Sequence, residues 1–389
     1  MTGLIDIQVK NLRDVIFFSN GNPESAQTWS NVPKCFVDTL RKKGIKVYPV
    51  ALTNERLQDV YDSFFRRVLK VLAFWYDEPR YYAYTWLHKW LAERRIKKAV
   101  VTYPQADYCF FINYAFCNKF SGIPSLLLSD WTNVINLQRH GKSASRFQKR
   151  FCMQEREAVE HAEHVISIFP LCAEEMRQLY PTANIHYLGG NVINNLSGDE
   201  PHPDEIVGRK KAAKKILFIG KPDRYKESAI KLMKAVELLR KADEYSDLEL
   251  DIIGIQRNQL PEVPHFVQCH GFLRKDVADE CKEYYDCLKN AKVIVNPTPK
   301  WAAYSSIIEA MYFCTPVVVS PFDDFVNEFG EEINFGSYNK EFTAEGIAKN
   351  IERIVVAENY EDICRNAHDA VKDYTWDRYV DKILALCEK

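Results

Sequence analysis

The feature that most constrains this chain is a rhythm: short apolar runs alternate with helical patterns, break off near residue 195, and begin again near 214. In the first half the runs are DVIFFS (14–19), KVYPVAL (46–52), KKAVVTY (97–103), PSLLLSD (124–130), HVISIF (164–169) and NIHYLG (184–189). They are β-branched and apolar on both faces, as strands of a parallel sheet covered by helices must be. Helical stretches intervene, such as NVPKCFVDTLRKKG, which Gly44 stops, and RFQKRFCMQEREAVEHAEH.

The second series runs KKILFIG (214–220), LELDIIG (248–254), HFVQCHG (265–271), AKVIVNP (291–297) and TPVVVSP (315–321). ESAIKLMKAVELLRKA, KDVADECKEYYDCLKNA and SSIIEAMYFC fill the spaces as helices. The polar stretch NNLSGDEPHPDEIVGRKKAAK reads as a linker near 195–212. A chain of 389 residues exceeds one ordinary core. The pattern therefore predicts two α/β units of similar size. Ligands of such sheets sit at the carboxyl ends of the strands, and two sheets facing one another would form a cleft.

Composition narrows the class. With 47% hydrophobic and 27% charged residues the chain is a folded globular protein. No apolar run reaches the roughly 18–20 residues of a membrane span, and the opening MTGLIDIQVKNLRD has no leader-like apolar region. Eleven cysteines form no CxxC pair, which fits reduced thiols and a cytoplasmic location. His161 and His164 share a helix face in this reading, but no acid or cysteine stands at ligand spacing, so no metal and no cofactor is expected. Residues 1–200 carry a net +5 and the remainder −6, too little basic character for duplex nucleic acid.

The residues just after the second-half strands carry the chemistry. Gly220 allows a tight turn, and Lys221 and Lys226 bracket the start of a helix, a setting suited to a diphosphate or simply to two solvated lysines. Gly254 and Gly271, the latter followed by Phe272, end strands and could admit a flat base or merely terminate the strand. In KWAAYSSIIEAMYFCTPVVVS, the pattern Ser306–Glu309 fits a capping box, with Ser306 as N-cap. Glu309 could instead be a carboxylate that accepts sugar hydroxyls, though the local sequence favours the cap.

The order of these features resembles the nucleotide-sugar domain of the GT-B glycosyltransferases, most closely the retaining group called family 4. There, a strand ending in Gly-Arg is followed five residues later by Lys; Lys221 and Lys226 occupy those places here. Pro297-Thr298, Glu309-Ala310-Met311 and Cys314-Thr315-Pro316 before Val317-Val318-Val319 follow in the same order. The resemblance implies a GT-B fold: two Rossmann-like β/α/β domains facing across a cleft. It places an acceptor domain at 1–197, a nucleotide-sugar domain at 198–372, and a terminal helix, 373–389, crossing back to the first domain.

It also implies roles. Lys221 and Lys226 would grip the donor diphosphate, Glu309 would contact the ribose, and Tyr304, Ser305, Ser306 and Ile307 would offer donors to phosphate. One departure stands out: the family's first glutamate falls at Trp301, followed by AAYSS in place of glycine-rich sequence. Trp301 could stack on a sugar or serve packing alone. In the first half Gly21 could approach a donor phosphate or an acceptor, or form a plain turn. Asp130, where relatives carry a histidine, could orient a hydroxyl or move a proton, or cap a helix.

The implied activity is metal-independent sugar transfer from a nucleoside-diphosphate sugar to a glycan or lipid-linked acceptor, with retention. A non-catalytic GT-B sugar-nucleotide-binding or partner subunit, an inverting transferase and a sugar-nucleotide epimerase stay open beside it. Residues 64–98 carry nine Lys/Arg against three acids among many aromatics. They suit a peripheral contact at the inner face of a membrane, or two amphipathic helices with buried aromatics.

Overall fold

The computed structural model describes residues 12–65, 81–298 and 304–388, and the chain divides into two units. Unit 1 comprises Met1–Gly189 with Trp376–Lys389, and unit 2 comprises Gly190–Thr375. The seams thus lie at 189/190 and 375/376, beside the 197/198 and 372/373 read from the sequence.

Unit 1 holds strands β1 (Asp14–Ser19), β2 (Lys46–Ala51), β3 (Tyr108–Phe111), β4 (Ser125–Ser129), β5 (His164–Ser167) and β6 (Ile185–His186). They form one parallel sheet in the order β2-β1-β3-β4-β5-β6. Unit 2 repeats the plan with β7 (Lys215–Ile219), β8 (Glu249–Ile253), β9 (Val267–Gly271), β10 (Ala291–Asn296), β11 (Val317–Val319) and β12 (Gly336–Tyr338). Their order is β12-β11-β10-β7-β8-β9, again parallel. The central strands are apolar and fully buried over Val15–Phe18 and Ile216–Phe218, because helices cover both faces.

The helices that matter below are α1 (Val32–Lys42), α2 (Trp86–Thr102), α3 (Asn133–Arg139), α4 (Arg146–His161), α5 (Pro203–Ala212), α6 (Pro222–Leu239), α7 (Ala278–Asn290), α8 (Ser305–Tyr312) and α9 (Trp376–Cys387). Helix α9 belongs to unit 1: Trp376 stacks on Phe36 of α1 at 5.1 Å, and Lys43 pairs with Asp377 at 2.8 Å and Asp381 at 2.7 Å.

Three sequence expectations are corrected. The run KKAVVTY is no strand; residues 97–102 finish α2, and the strand is Tyr108–Phe111. Ala92, Ile96, Ala99 and Val100 are buried at helical spacing, and a short apolar run alone does not separate the two periods. Residues 203–212 are helix α5, not linker: Pro203 starts it, Asp204 and Glu205 lie in its first turn, and Arg209, Lys210 and Lys211 in its last. Lys210 anchors it, its ammonium buried and donating to Leu288 O (2.9 Å), Ala291 O (3.1 Å) and Thr315 Oγ1 (2.7 Å). Burial lowers the pKa of that ammonium to about 7. Finally, His161 ends α4 while His164 opens β5, so they share no helix face. All eleven cysteines are free thiols. Among the described residues no helix is long and apolar enough to cross a membrane.

Candidate functional site

The carboxyl ends of β7, β8 and β9 lie side by side, and each ends in or before a glycine. Gly220 N–H donates to Ile253 O at 3.0 Å, and Gly254 N–H donates to Gly271 O at 2.6 Å. No side chain fits between them. A Cβ on Gly254 would stand 2.4 Å from the Gly220 carbonyl oxygen, and one on Gly220 would stand 2.8 Å from Tyr225 Cβ. Gly254 and Gly271 also adopt φ of +94° and +68°, a region that favours glycine. The strand ends therefore present bare backbone, with Phe272 beside them 66% exposed.

Helix α6 springs from this edge. Lys221 is its N-cap residue, with no side-chain cap, and Pro222 is its first helical residue. The side chains of Lys221 and Lys226 are exposed and make no ion pair or hydrogen bond with another described residue. Two uncommitted cations therefore stand at the positive end of an 18-residue helix, with Asp223 between them in the first turn. Ser228 of the same helix bonds Thr298 at 2.9 Å, and Thr298 Oγ1 donates to Asn296 Oδ1 at 2.6 Å, which fastens the loop leaving β10.

Glu309 answers the capping question against the cap. Helix α8 begins at Ser305 with Tyr304 as N-cap and no side-chain cap bond, which puts Glu309 in its second turn. The carboxylate is buried and takes three donors from elsewhere in unit 2. Lys275 Nζ lies 2.6 Å from Oε1, Tyr284 OH 2.8 Å from Oε2, and Tyr285 OH 3.1 Å from Oε1. Tyr285 OH also lies 3.1 Å from Asn194 O and accepts from Leu196 N–H at 2.8 Å. With one proton to give, it serves either Glu309 or Asn194 at a time. Burial, reinforced by the charge of Glu309, pushes both phenols well above their ordinary pKa, so they stay donors at neutral pH. Lys275 also lies over both rings, 4.2 Å from the centroid of Tyr284 and 5.2 Å from that of Tyr285.

The rest of the 304–307 segment divides. Tyr304 is fully buried among Phe322, Phe325 and Phe329, so it serves packing and does not present its hydroxyl as expected. Ile307 is buried and its N–H is spent on Tyr304 O at 2.9 Å, which removes it as a backbone donor too. Ser305 and Ser306 are half-buried at the helix start, Ser305 Oγ within 3.4 Å of Asn191 Nδ2. Trp301 lies outside the described residues.

Unit 1 holds the other two candidates. Gly21 is wedged in the turn after β1: its carbonyl accepts from Ser19 Oγ at 2.6 Å, and a Cβ there would stand 2.9 Å from Thr28 Oγ1. That gives it a packing role. Asp130 follows β4, half-buried, with Oδ1 accepting from Trp131 N–H (2.9 Å) and Ser129 Oγ (3.1 Å). Near it sequence reading missed Glu155, buried on α4 and accepting from Asn133 N–H at 2.9 Å, the first residue of α3. Burial raises the Glu155 carboxyl to about 8; the Asn133 bond opposes the shift and the Asp130 charge adds to it.

Comparison with known proteins decides the class. Residues 213–356 match the family described as Glycosyl transferases group 1. They form a group 1 glycosyltransferase domain. The whole fold agrees. Sucrose-phosphate synthase from Thermosynechococcus elongatus superposes with a TM-score of 0.65 at 15% identity, over 96% of this chain and 98% of that one. WaaG, a glycosyltransferase involved in lipopolysaccharide biosynthesis, gives 0.61 at 12% identity, over 96% and 99%. Anabaena HepE, solved in complex with UDP and glucose, gives 0.58 at 14% identity, over 96% and 99%. No curated protein matches in sequence. The chain is thus a GT-B enzyme of the glycosyltransferase type, and the Lys221, Lys226 and Glu309 clusters all lie in its group 1 domain.

Proposed function

We propose that this glycosyltransferase moves a sugar from a nucleoside-diphosphate sugar to an acceptor hydroxyl of a glycan or lipid-linked glycan, with retention and with no metal at the diphosphate. The observation that carries this reading is the pair of uncommitted lysines, Lys221 and Lys226, at the start of α6 beside the bare Gly220–Gly254–Gly271 edge. Cations and a helix N-terminus suit a diphosphate, and the half-buried backbone of Gly220 and Gly254 with the exposed Phe272 suits a flat base. Glu309, with two or three of its roughly four acceptor positions filled as Tyr285 turns between it and Asn194, has at least one left for a ribose hydroxyl.

As the glycosidic bond to the donor breaks, the departing diphosphate gathers negative charge. It takes the acceptor's hydroxyl proton as the new bond forms on the same face. Lys221 and Lys226 stabilise that charge, so no enzymic nucleophile is needed. Unit 1 receives the acceptor, with Asp130 orienting its hydroxyl. A peripheral membrane contact from the cytoplasmic side is supported by Trp86 and Trp90, exposed and stacked at 6.2 Å on α2, near Lys89 and Arg150.

The test is calorimetric binding of UDP-, GDP-, ADP-, TDP- and CMP-sugars to the wild type and to Lys221→Ala and Lys226→Ala, UDP first because a structural neighbour holds it. Each lost charge-assisted bond is worth about 1.5–3 kcal/mol, hence roughly 10–150-fold in Kd. Unchanged binding in the double variant would remove the site.

A further inference from the structure

The group 1 domain carries a second cluster, on the β8–β9 side of its sheet, whose side chains the transfer chemistry does not use. Asp251 on β8, His270 on β9 and Cys287 on α7 bring one carboxylate oxygen, one ring nitrogen and one sulfur within 4.8 Å of one another. His270 Nε2 faces both partners, 3.2 Å from Asp251 Oδ1 and 3.9 Å from Cys287 Sγ. Its other nitrogen, Nδ1, is held by Glu283 Oε1 at 2.6 Å. The side chains of Asp251 and His270 are 3% and 4% exposed, and a cavity of about 530 Å³ opens onto them.

We propose that Asp251, His270 and Cys287 form a binding site for a zinc-like divalent ion, with Glu283 orienting the histidine and a water completing the coordination. Distances support it. Bonds of about 2.0 Å to nitrogen and oxygen and about 2.3 Å to sulfur, set tetrahedrally, place neighbouring ligand atoms about 3.3–3.6 Å apart. The two separations at His270 bracket that range, so the side chains need close by only a fraction of an ångström there. The Glu283 contact is the carboxylate–histidine arrangement that fixes the ring and its tautomer around a bound metal. A nitrogen, a sulfur and a single carboxylate select zinc-type ions over calcium or magnesium, which prefer all-oxygen shells.

Lys215 is the competitor. Its Nζ stands 3.1 Å from Asp251 Oδ2 and 3.4 Å from Oδ1. Its side chain is 36% exposed, so it can turn outward as the ion enters. The ion's role would be structural. Helix α7 carries Cys287 and Glu283 on one part of its surface and also Tyr284 and Tyr285, which hold Glu309. A metal between α7 and the β8–β9 edge would fix the helix that positions Glu309. No ligand motif announces this in the sequence, because the three ligands come from three elements up to 36 positions apart.

The test uses the full chain, stripped with a chelator and titrated with Co²⁺ and then Zn²⁺. The wild type should take up one ion and show the near-ultraviolet thiolate-to-cobalt band with tetrahedral visible bands, which Zn²⁺ then bleaches. Cys287→Ser should lose the thiolate band, His270→Gln should lose tight uptake, and Glu283→Gln should weaken affinity about 10–100-fold. Cys152→Ser, in the other unit, should match the wild type. Circular dichroism shows whether each variant is folded. The proposal is overturned if the folded wild type takes up no ion, or if the cobalt spectrum survives in Cys287→Ser; the cluster is then an ion-pair network only. None of these readouts depends on sugar transfer.

Discussion

Replacing Lys275 by methionine tests what holds Glu309. The Lys275 and Glu309 side chains are 12% and 5% exposed, so water does little to screen the pair. Removing one member of such a pair leaves a buried charge and costs about 3–5 kcal/mol. Tyr284 and Tyr285 still donate to Glu309 in the variant, which argues for the lower end, about 3 kcal/mol. For a domain the size of unit 2, each kcal/mol moves Tm by roughly 2–4 °C, so its transition should fall by roughly 6–12 °C.

Differential scanning calorimetry reads the shift, and hydrogen exchange of peptides spanning residues 275–312 shows where protection is lost. Glu309→Gln supplies the other arm of a double-mutant cycle. With the carboxylate neutralised, Lys275→Met should cost far less, a coupling of roughly 1–3 kcal/mol. A Lys275→Met shift under about 2 °C, or strict additivity in the double variant, would refute the buried-pair argument.

Two further predictions concern stability. Gly254→Ala combines an unfavourable torsion at φ +94° with the 2.4 Å approach to Gly220 O, and should destabilise unit 2 by more than about 2 kcal/mol. Gly271→Ala meets only Gln256 Cγ at 3.3 Å and should cost no more than about 1–2 kcal/mol; equal melting temperatures for the two would contradict this. Glu155 ionises near 4.5 when unfolded but near 8 when folded. Its contribution is therefore fully present below about pH 4.5 and is lost as pH rises to about 8. Glu155→Gln keeps an acceptor for Asn133 N–H and should flatten Tm against pH across that window, ending more stable at pH 8; a slope parallel to the wild type would argue against it.

The repeated strand–helix rhythm told most of the architecture in advance, because parallel strands buried on both faces leave an unmistakable apolar signature. It misled where burial was helical: Val100 and its neighbours look like a strand only until Ala92 and Ile96 are counted with them. The polar look of residues 203–212 hid a packed helix, since a lysine with three buried acceptors cannot be told from a solvated one in a string of letters. At the site, glycines and lysines were visible because they act through backbone position and charge. The partners of Glu309 were not: Lys275 stands 34 residues away, and only the fold brings it within 2.6 Å.

The glycine edge has a consequence for engineering. A surface made of main-chain atoms offers no side chain to exchange, and at Gly220 and Gly254 none can be added without displacing a neighbour. A library meant to alter ligand preference would waste its diversity there. Its variable positions belong at the exposed Phe272, where the surface has room for change, with Lys221 and Lys226 held fixed for the diphosphate.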